Sequence, residues 1–79
     1  MSERLVLYVR DGCHLCEQFL LDFSLDFPQA AAALLVRDVD MEPAWAIEYG
    51  LRVPVFSAAG IVVIEGAYDS GKVRQALGL

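Results

Sequence analysis

Cys13 and Cys16 stand three residues apart and are the only two cysteines in the chain. They lie in Gly12-Cys13-His14-Leu15-Cys16, between an apolar run of strand formers, Leu5 to Val9, and a segment with helical periodicity. A helix beginning near Cys13 sets that sulfur beside unpaired backbone N–H groups and the positive end of the helix dipole. Thiols so placed fall from about 8.5 into a range of roughly 3.5–7.5, and the thiolate is the nucleophile. Cys16 is one turn deeper, on the apolar face, less exposed yet near enough to attack a mixed disulfide formed at Cys13. An attacking thiolate and a resolving thiol are the two parts that thiol–disulfide exchange requires.

Other chemistries fit the pair less well. A structural bridge here closes a loop of about four residues, which loop entropy makes worth about 2 kcal/mol, against about 3 for a fifteen-residue loop. A structural zinc site takes four ligands, and the two cysteines with His14 do not supply them within one chain. Attachment of a c-type haem needs histidine directly after the second cysteine, where Glu17 stands. Redox exchange leads; a metal or iron–sulfur cluster shared by two chains, or an inert pair in a binding module, are the alternatives.

The rest of the chain must position that pair with little material. Its 79 residues make one domain, 1–79, of a size that buries only roughly 60% of its unfolded surface. A hydrophobic share of 57%, above the usual range of about 45–50%, supplies the core without a disulfide framework. Six basic against 11 acidic residues give a net charge of −5. With no basic stripe, the chain is not expected to bind nucleic acid or a membrane surface. Its longest apolar runs, Leu5–Val9 and Ala30–Val36, fall well short of the roughly 18 residues of a membrane span. Met1 to Arg4 precede only five apolar residues, so no signal-peptide core is read there. The expected compartment is the cytoplasm, where a close cysteine pair is redox-active or metal-binding rather than structural.

The elements follow from periodicity. Leu5–Val9 reads as a buried strand. Cys16, Phe19, Leu20, Phe23 and Phe27 share one helical face, with Glu17, Gln18, Asp22 and Asp26 opposite; Leu21 and Leu25 fall off the apolar face, and Pro28 ends the helix. Ala30 to Ala33 either extends it or begins a second short helix. Leu34–Val39 is a second strand. Asp40 is an N-cap candidate, Glu42-Pro43 suits a helix's first turn, and that helix runs to about Tyr49 with Gly50 as its C′ residue. Val53–Ser57 and Ile61–Glu65, broken at Ala58-Ala59-Gly60, form a hairpin signal. Asp69 is a candidate N-cap for a last helix, Ser70 to about Leu77, stopped by Gly78. The order is β-α-β-α-β-β-α: two parallel strands joined through a helix, an antiparallel hairpin, and a closing helix.

Leu7-Tyr8 leading into Gly12-Cys13-His14-Leu15-Cys16, then Val36-Arg37-Asp38-Val39-Asp40, Tyr49-Gly50-Leu51-Arg52-Val53-Pro54-Val55 and finally Gly66 form a recognisable series. The chain resembles the short bacterial glutaredoxin-like group of the thioredoxin superfamily over nearly its whole length. That resemblance implies an α/β thioredoxin-like fold with a four-stranded mixed sheet flanked by helices. It implies a dithiol thiol–disulfide oxidoreductase, with Cys13 as nucleophile and Cys16 as resolving thiol. It also implies a cis proline at Pro54, lying against the cysteines, with the Val53 backbone pairing to a bound thiol substrate. No bound cofactor is implied, only glutathione as a co-substrate. The partners are a disulfide-bearing protein or small molecule and an external reductant, glutathione or a thioredoxin-reductase-type system, acting on a monomer.

The departures are specific. Glutaredoxins usually carry proline and tyrosine between the cysteines, where His14 and Leu15 stand. Their glutathione loop reads Gly-Gly followed by Asp, where this chain has Gly66-Ala67-Tyr68-Asp69, so Gly66 and Asp69 are its candidate contacts. Tyr68 is expected to add bulk where a glutathione backbone would lie, and glutathione is expected to bind weakly. Arg10 and Arg52 are candidates to flank the site and favour anionic thiols or thiolates, with a simply solvated arginine as the alternative for either. His14 is a candidate to tune Cys13 or shuttle a proton, although an exposed first-turn histidine is the plainer reading. Trp45 and Tyr49 read as helix packing, and Asp38, Asp40 and Glu42 as a solvated edge with helix capping.

Overall fold

The computed structural model describes residues 4–79; Met1 to Glu3, part of the N-terminal reading above, lie outside the described residues. The elements are β1 (Leu5–Val9), α1 (His14–Asp26), α2 (Pro28–Ala33), β2 (Leu35–Asp38), a 3-10 turn (Val39–Met41), α3 (Pro43–Tyr49), β3 (Val55–Ala58), β4 (Ile61–Glu65) and α4 (Ser70–Ala76). The strands form one mixed sheet in the order β2-β1-β3-β4. β1 runs parallel to β2 (Val9 opposite Asp38) and antiparallel to β3 (Tyr8 opposite Val55). β3 and β4 are antiparallel, with Val55 opposite Glu65 and a bulge between Phe56 and Ser57. This is the α/β arrangement of a four-stranded mixed sheet flanked by helices that the sequence implies.

β1 lacks polar alternation because both of its faces are covered. Leu5 and Leu7 point into a core with Phe19, Phe23 and Phe27 from the α1 side, Phe56 and Ile64 from the sheet, and Val73 from α4. Val6 and Tyr8 point to the other face, where they pack with Val39, Val55, Trp45 and Tyr49. Tyr49 stacks on Tyr8 with ring centroids 4.0 Å apart, and Trp45 meets Tyr8 edge-on at 6.0 Å. The two aromatic residues of α3 therefore pack the helix onto the sheet. The phenylalanines form the larger core: Phe19, Phe23 and Phe56 are each fully buried.

Several boundaries differ from the sequence reading, each for a local reason. α1 stops at Asp26 and Pro28 opens a separate helix, α2, at a position where proline's fixed φ and missing N–H are tolerated. That settles the open question at Ala30–Ala33 and adds a helix to the expected order. β2 is shorter than Leu34–Val39, because Val39 turns out of the strand into the 3-10 turn and is fully buried. Asp40 is not the N-cap of α3. Glu42 holds that place, accepting from the Ala44 N–H at 3.5 Å, while Asp38 caps the 3-10 turn by accepting from the Asp40 N–H at 2.9 Å.

Gly50 is not a left-handed C′ residue either; its backbone is right-handed, φ −55° and ψ −36°. β3 begins at Val55 rather than Val53. The hairpin turns on Ala59 and Gly60, both with positive φ (53° and 81°), the pair of angles a tight two-residue hairpin loop requires. Leu21 and Leu25 stay exposed, so α1 is covered on one side only.

Candidate active site

The register brings the sequence candidates to one end of the sheet. β1 ends at Val9, and the chain turns through Arg10 to Gly12 before α1, with the Cys13 N–H donating to the Arg10 carbonyl at 3.2 Å. β3 starts beside that end because Val55 faces Tyr8, so the preceding segment Gly50 to Pro54 lies there too. β4 finishes there because Glu65 faces Val55, and the Gly66 N–H donates to the Pro54 carbonyl at 2.8 Å.

Cys13 is the N-cap of α1, with φ −86° and ψ 107° outside the helical region. Its Sγ accepts a hydrogen bond from the Cys16 N–H at 3.1 Å, the contact an N-cap serine or aspartate ordinarily makes. That donor and the helix dipole both favour negative charge on this sulfur. Cys13 is half-buried and Cys16 buried. Their sulfurs lie at disulfide distance with Cα atoms 5.2 Å apart, inside the span a disulfide bridges. His14 and Leu15 occupy the exposed first turn. A cleft of about 310 Å³ opens beside Cys16, its walls including Arg10, Asp11, Glu17, Leu20 and Asp38. Among the described residues no three His, Cys, Asp or Glu side chains group to hold a metal ion.

The Val53–Pro54 peptide is cis, and Pro54 is fully buried. What this segment can present to a partner is the backbone of Val53. Neither its N–H nor its C=O bonds to another backbone group among the described residues.

The two arginines are already engaged. Arg10 grips both carboxylate oxygens of Asp40, with Nε at 3.2 Å and Nη2 at 3.0 Å, and its Nη1 donates to the Gly50 carbonyl at 3.0 Å. A Cβ at Gly50 would collide with the Ala46 backbone carbonyl and also sit 2.9 Å from Arg10 Nη2. Arg52 donates from Nε to Glu65 at 2.7 Å and from Nη1 to both the carboxylate and the carbonyl of Glu48 at 3.0 Å. The hydrogen bond from Arg52 holds the Glu65 carboxyl below its ordinary range, and Glu65 in turn raises the Arg52 guanidinium. Arg10 and Arg52 thus fasten the chain at Gly50 and at Arg52, leaving Leu51 between them fully exposed.

The loop residues Gly66, Tyr68 and Asp69 each have a local structural role. Asp69 caps α4 by accepting the Lys72 N–H at 3.1 Å. The Tyr68 ring packs edge-on against Phe19 at 5.2 Å and its hydroxyl donates to Asp26 at 2.8 Å. Gly66, with φ +89°, makes the turn that carries the chain from β4 toward α4. The sequence reading missed Asp40, Gly50, Glu48 and Glu65 as partners of the two arginines. The i, i+4 spacing of Glu48 and Arg52 was a visible signal; the pairing of Arg10 with Asp40, 30 residues away, had none.

The sequence model of the glutaredoxin-like domain (DUF836) matches residues 4–78. Among solved structures, the X-ray structure of the X. campestris protein XcR50 is 30% identical, with a TM-score of 0.70 over 94% of this chain and 95% of that one. The solution structure of protein Ne2328 from Nitrosomonas europaea is 27% identical, with a TM-score of 0.76 over 95% and 91% of the two chains. No curated protein matches the chain. No helix of the described residues is long and apolar enough to cross a membrane. With a strand-to-helix cysteine pair at disulfide distance on a four-stranded mixed sheet, and a match spanning nearly its full length, the chain belongs to the glutaredoxin-like domain family.

Proposed function

We propose that this protein is a dithiol thiol–disulfide oxidoreductase. The observation that carries the reading is the asymmetry of the pair: Cys13 caps α1 and takes the Cys16 N–H, whereas Cys16 is buried behind it. The Cys13 thiolate attacks one sulfur of a substrate disulfide, R–S–S–R′. A Cys13–S–S–R bond forms and R′S⁻ leaves to take a proton from solvent. The Cys16 thiolate then attacks Cys13 Sγ and expels R–S⁻. The protein is left with a Cys13–Cys16 disulfide and the substrate with two thiols, two electrons having passed to it. An external dithiol, or two equivalents of glutathione, returns those electrons.

The Val53 backbone, free of internal backbone pairing, supports docking of an extended segment around the substrate sulfur. Residues between strand and helix at one sheet end serve this chemistry without a bound cofactor, in a reducing compartment such as the cytoplasm.

Reduction of hydroxyethyl disulfide by the full chain tests the reading, with glutathione plus glutathione reductase beside thioredoxin plus its reductase as electron sources. Turnover with one of them, abolished in Cys13→Ser and converted to a trapped mixed disulfide in Cys16→Ser, is the expected result. No turnover with either source, or full activity in Cys13→Ser, overturns it.

A further inference from the structure

The electrostatics of the cysteine end are set by which charges are already spent. Arg10 is matched by Asp40, and Arg52 by two carboxylates, so that the trio with Glu48 and Glu65 carries a residual −1. Asp11, Glu17 and Asp38, on the walls of the cleft beside Cys16, have no ion-pair partner among the described residues. Arg10 and Arg52 therefore face carboxylates, Arg37 lies over the Tyr8 and Trp45 rings on the α3 face and donates to the Tyr8 hydroxyl, and the unmatched charges on the cleft walls are negative. A guanidinium with both edges taken has little left to offer a substrate carboxylate.

Resting on the oxidoreductase reading, we propose that this site selects disulfides by charge. It favours cationic over anionic partners, and Glu48 and Glu65 determine the preference by withholding Arg52. The partner class is a disulfide flanked by ammonium or guanidinium groups, on a small molecule or a basic protein segment. The exposed Leu15 and Leu51 add apolar contact at the same end. A substrate whose carboxylates flank the sulfur meets four unmatched negative charges, while Arg10 and Arg52 are both held by carboxylates. Releasing Arg52 from Glu48 and Glu65 converts the trio from −1 to +1 and frees a bidentate carboxylate receptor two residues before Pro54.

A unit charge about 8 Å away through water alters an encounter by about twofold. Four such charges acting in opposite senses on a cation and an anion separate them by about tenfold or more at low ionic strength.

Cystamine and dithiodipropionate are near-isosteric small disulfides of opposite charge, with neutral hydroxyethyl disulfide as the reference. Single-turnover oxidation of the reduced full chain is measured with each, and every rate is divided by that of mercaptoethanol with the same disulfide in the same buffer. Normalised cystamine rates about tenfold above dithiodipropionate at low salt, converging in about 1 M salt where screening acts within about 3 Å, are the expected outcome. In Glu48→Gln/Glu65→Gln the ratio falls at least severalfold, and in Asp11→Asn it falls about twofold. A purely structural role for these carboxylates would not move a charge ratio or its salt dependence. A wild-type ratio near one, a preference for the anion, or a double variant with an unchanged ratio overturns the inference while leaving the redox reading intact. Failure to oxidise with the neutral disulfide overturns both.

Discussion

If Cys13 Sγ caps α1, the two smallest replacements at that position should separate in stability. Cys13→Ser and Cys13→Ala both abolish the disulfide, whose four-residue loop is worth about 2 kcal/mol by loop entropy. That loss is common to the two and cancels in the comparison. Serine keeps an acceptor where Sγ now takes the Cys16 N–H at 3.1 Å, and the φ −86°, ψ 107° backbone suits a serine N-cap. Alanine leaves that N–H without its partner, and Cys16 is 2% exposed, so water is a poor substitute. Cap removal costs about 0.5–2 kcal/mol, and the burial of Cys16 places this case at about 1 kcal/mol or above.

A chain of this length has a total stability of about 4–12 kcal/mol. The difference therefore amounts to about 4–8 °C in melting midpoint. Urea unfolding of both variants with a reductant present, checked by thermal melts, measures it. Equal stabilities, or alanine the more stable, would refute the capping geometry at Cys13.

Three further outcomes follow from the same contacts. In reduced protein, alkylation mapped by mass should find Cys13 modified first and at lower pH than an ordinary thiol; initial labelling at Cys16 reverses the roles proposed for the pair. Because Arg52 lowers the Glu65 carboxyl, that ion pair stabilises the fold above the ordinary carboxylate range and the contribution disappears as pH falls through the depressed folded value. The urea midpoints of wild type and Glu65→Gln should then differ at neutral pH and converge in acid, and a constant offset contradicts this. Burial and the Asp26 hydrogen bond raise the Tyr68 phenol. Its contribution is whole below the unfolded value of about 10 and is lost as pH climbs from there, so Tyr68→Phe should flatten the alkaline fall in stability, with phenolate absorbance showing one tyrosine fewer among the last to ionise.

What the residues determine alone is whatever is local along the chain. The spacing of Cys16, Phe19, Phe23 and Phe27 is one helical face because 3.6 residues per turn put it there, and those four residues are the buried ones. The run Leu5–Val9 is a buried strand, the hairpin turns at Gly60, and Asp69 caps the last helix, each from neighbours within a few positions. The cysteine pair between strand and helix is local in the same sense.

The tertiary structure decided everything that depends on which distant groups arrive. By sequence Asp40 is the cap candidate and Glu42 a first-turn acid; Asp40 is drawn instead to Arg10, which reaches across from the end of β1, and Glu42 caps α3. Gly50 looks like a left-handed stop, but its backbone is right-handed and a side chain there would collide with the Ala46 carbonyl. Tyr68 points at Phe19 and Asp26 because α1 lies beside it, 42 residues away from Asp26 in the chain. Arg10 and Arg52 read as free cations near a cysteine and are instead matched charges. An ion pair is chosen by proximity in space, and the order of residues carries that proximity only for partners within a turn of one another.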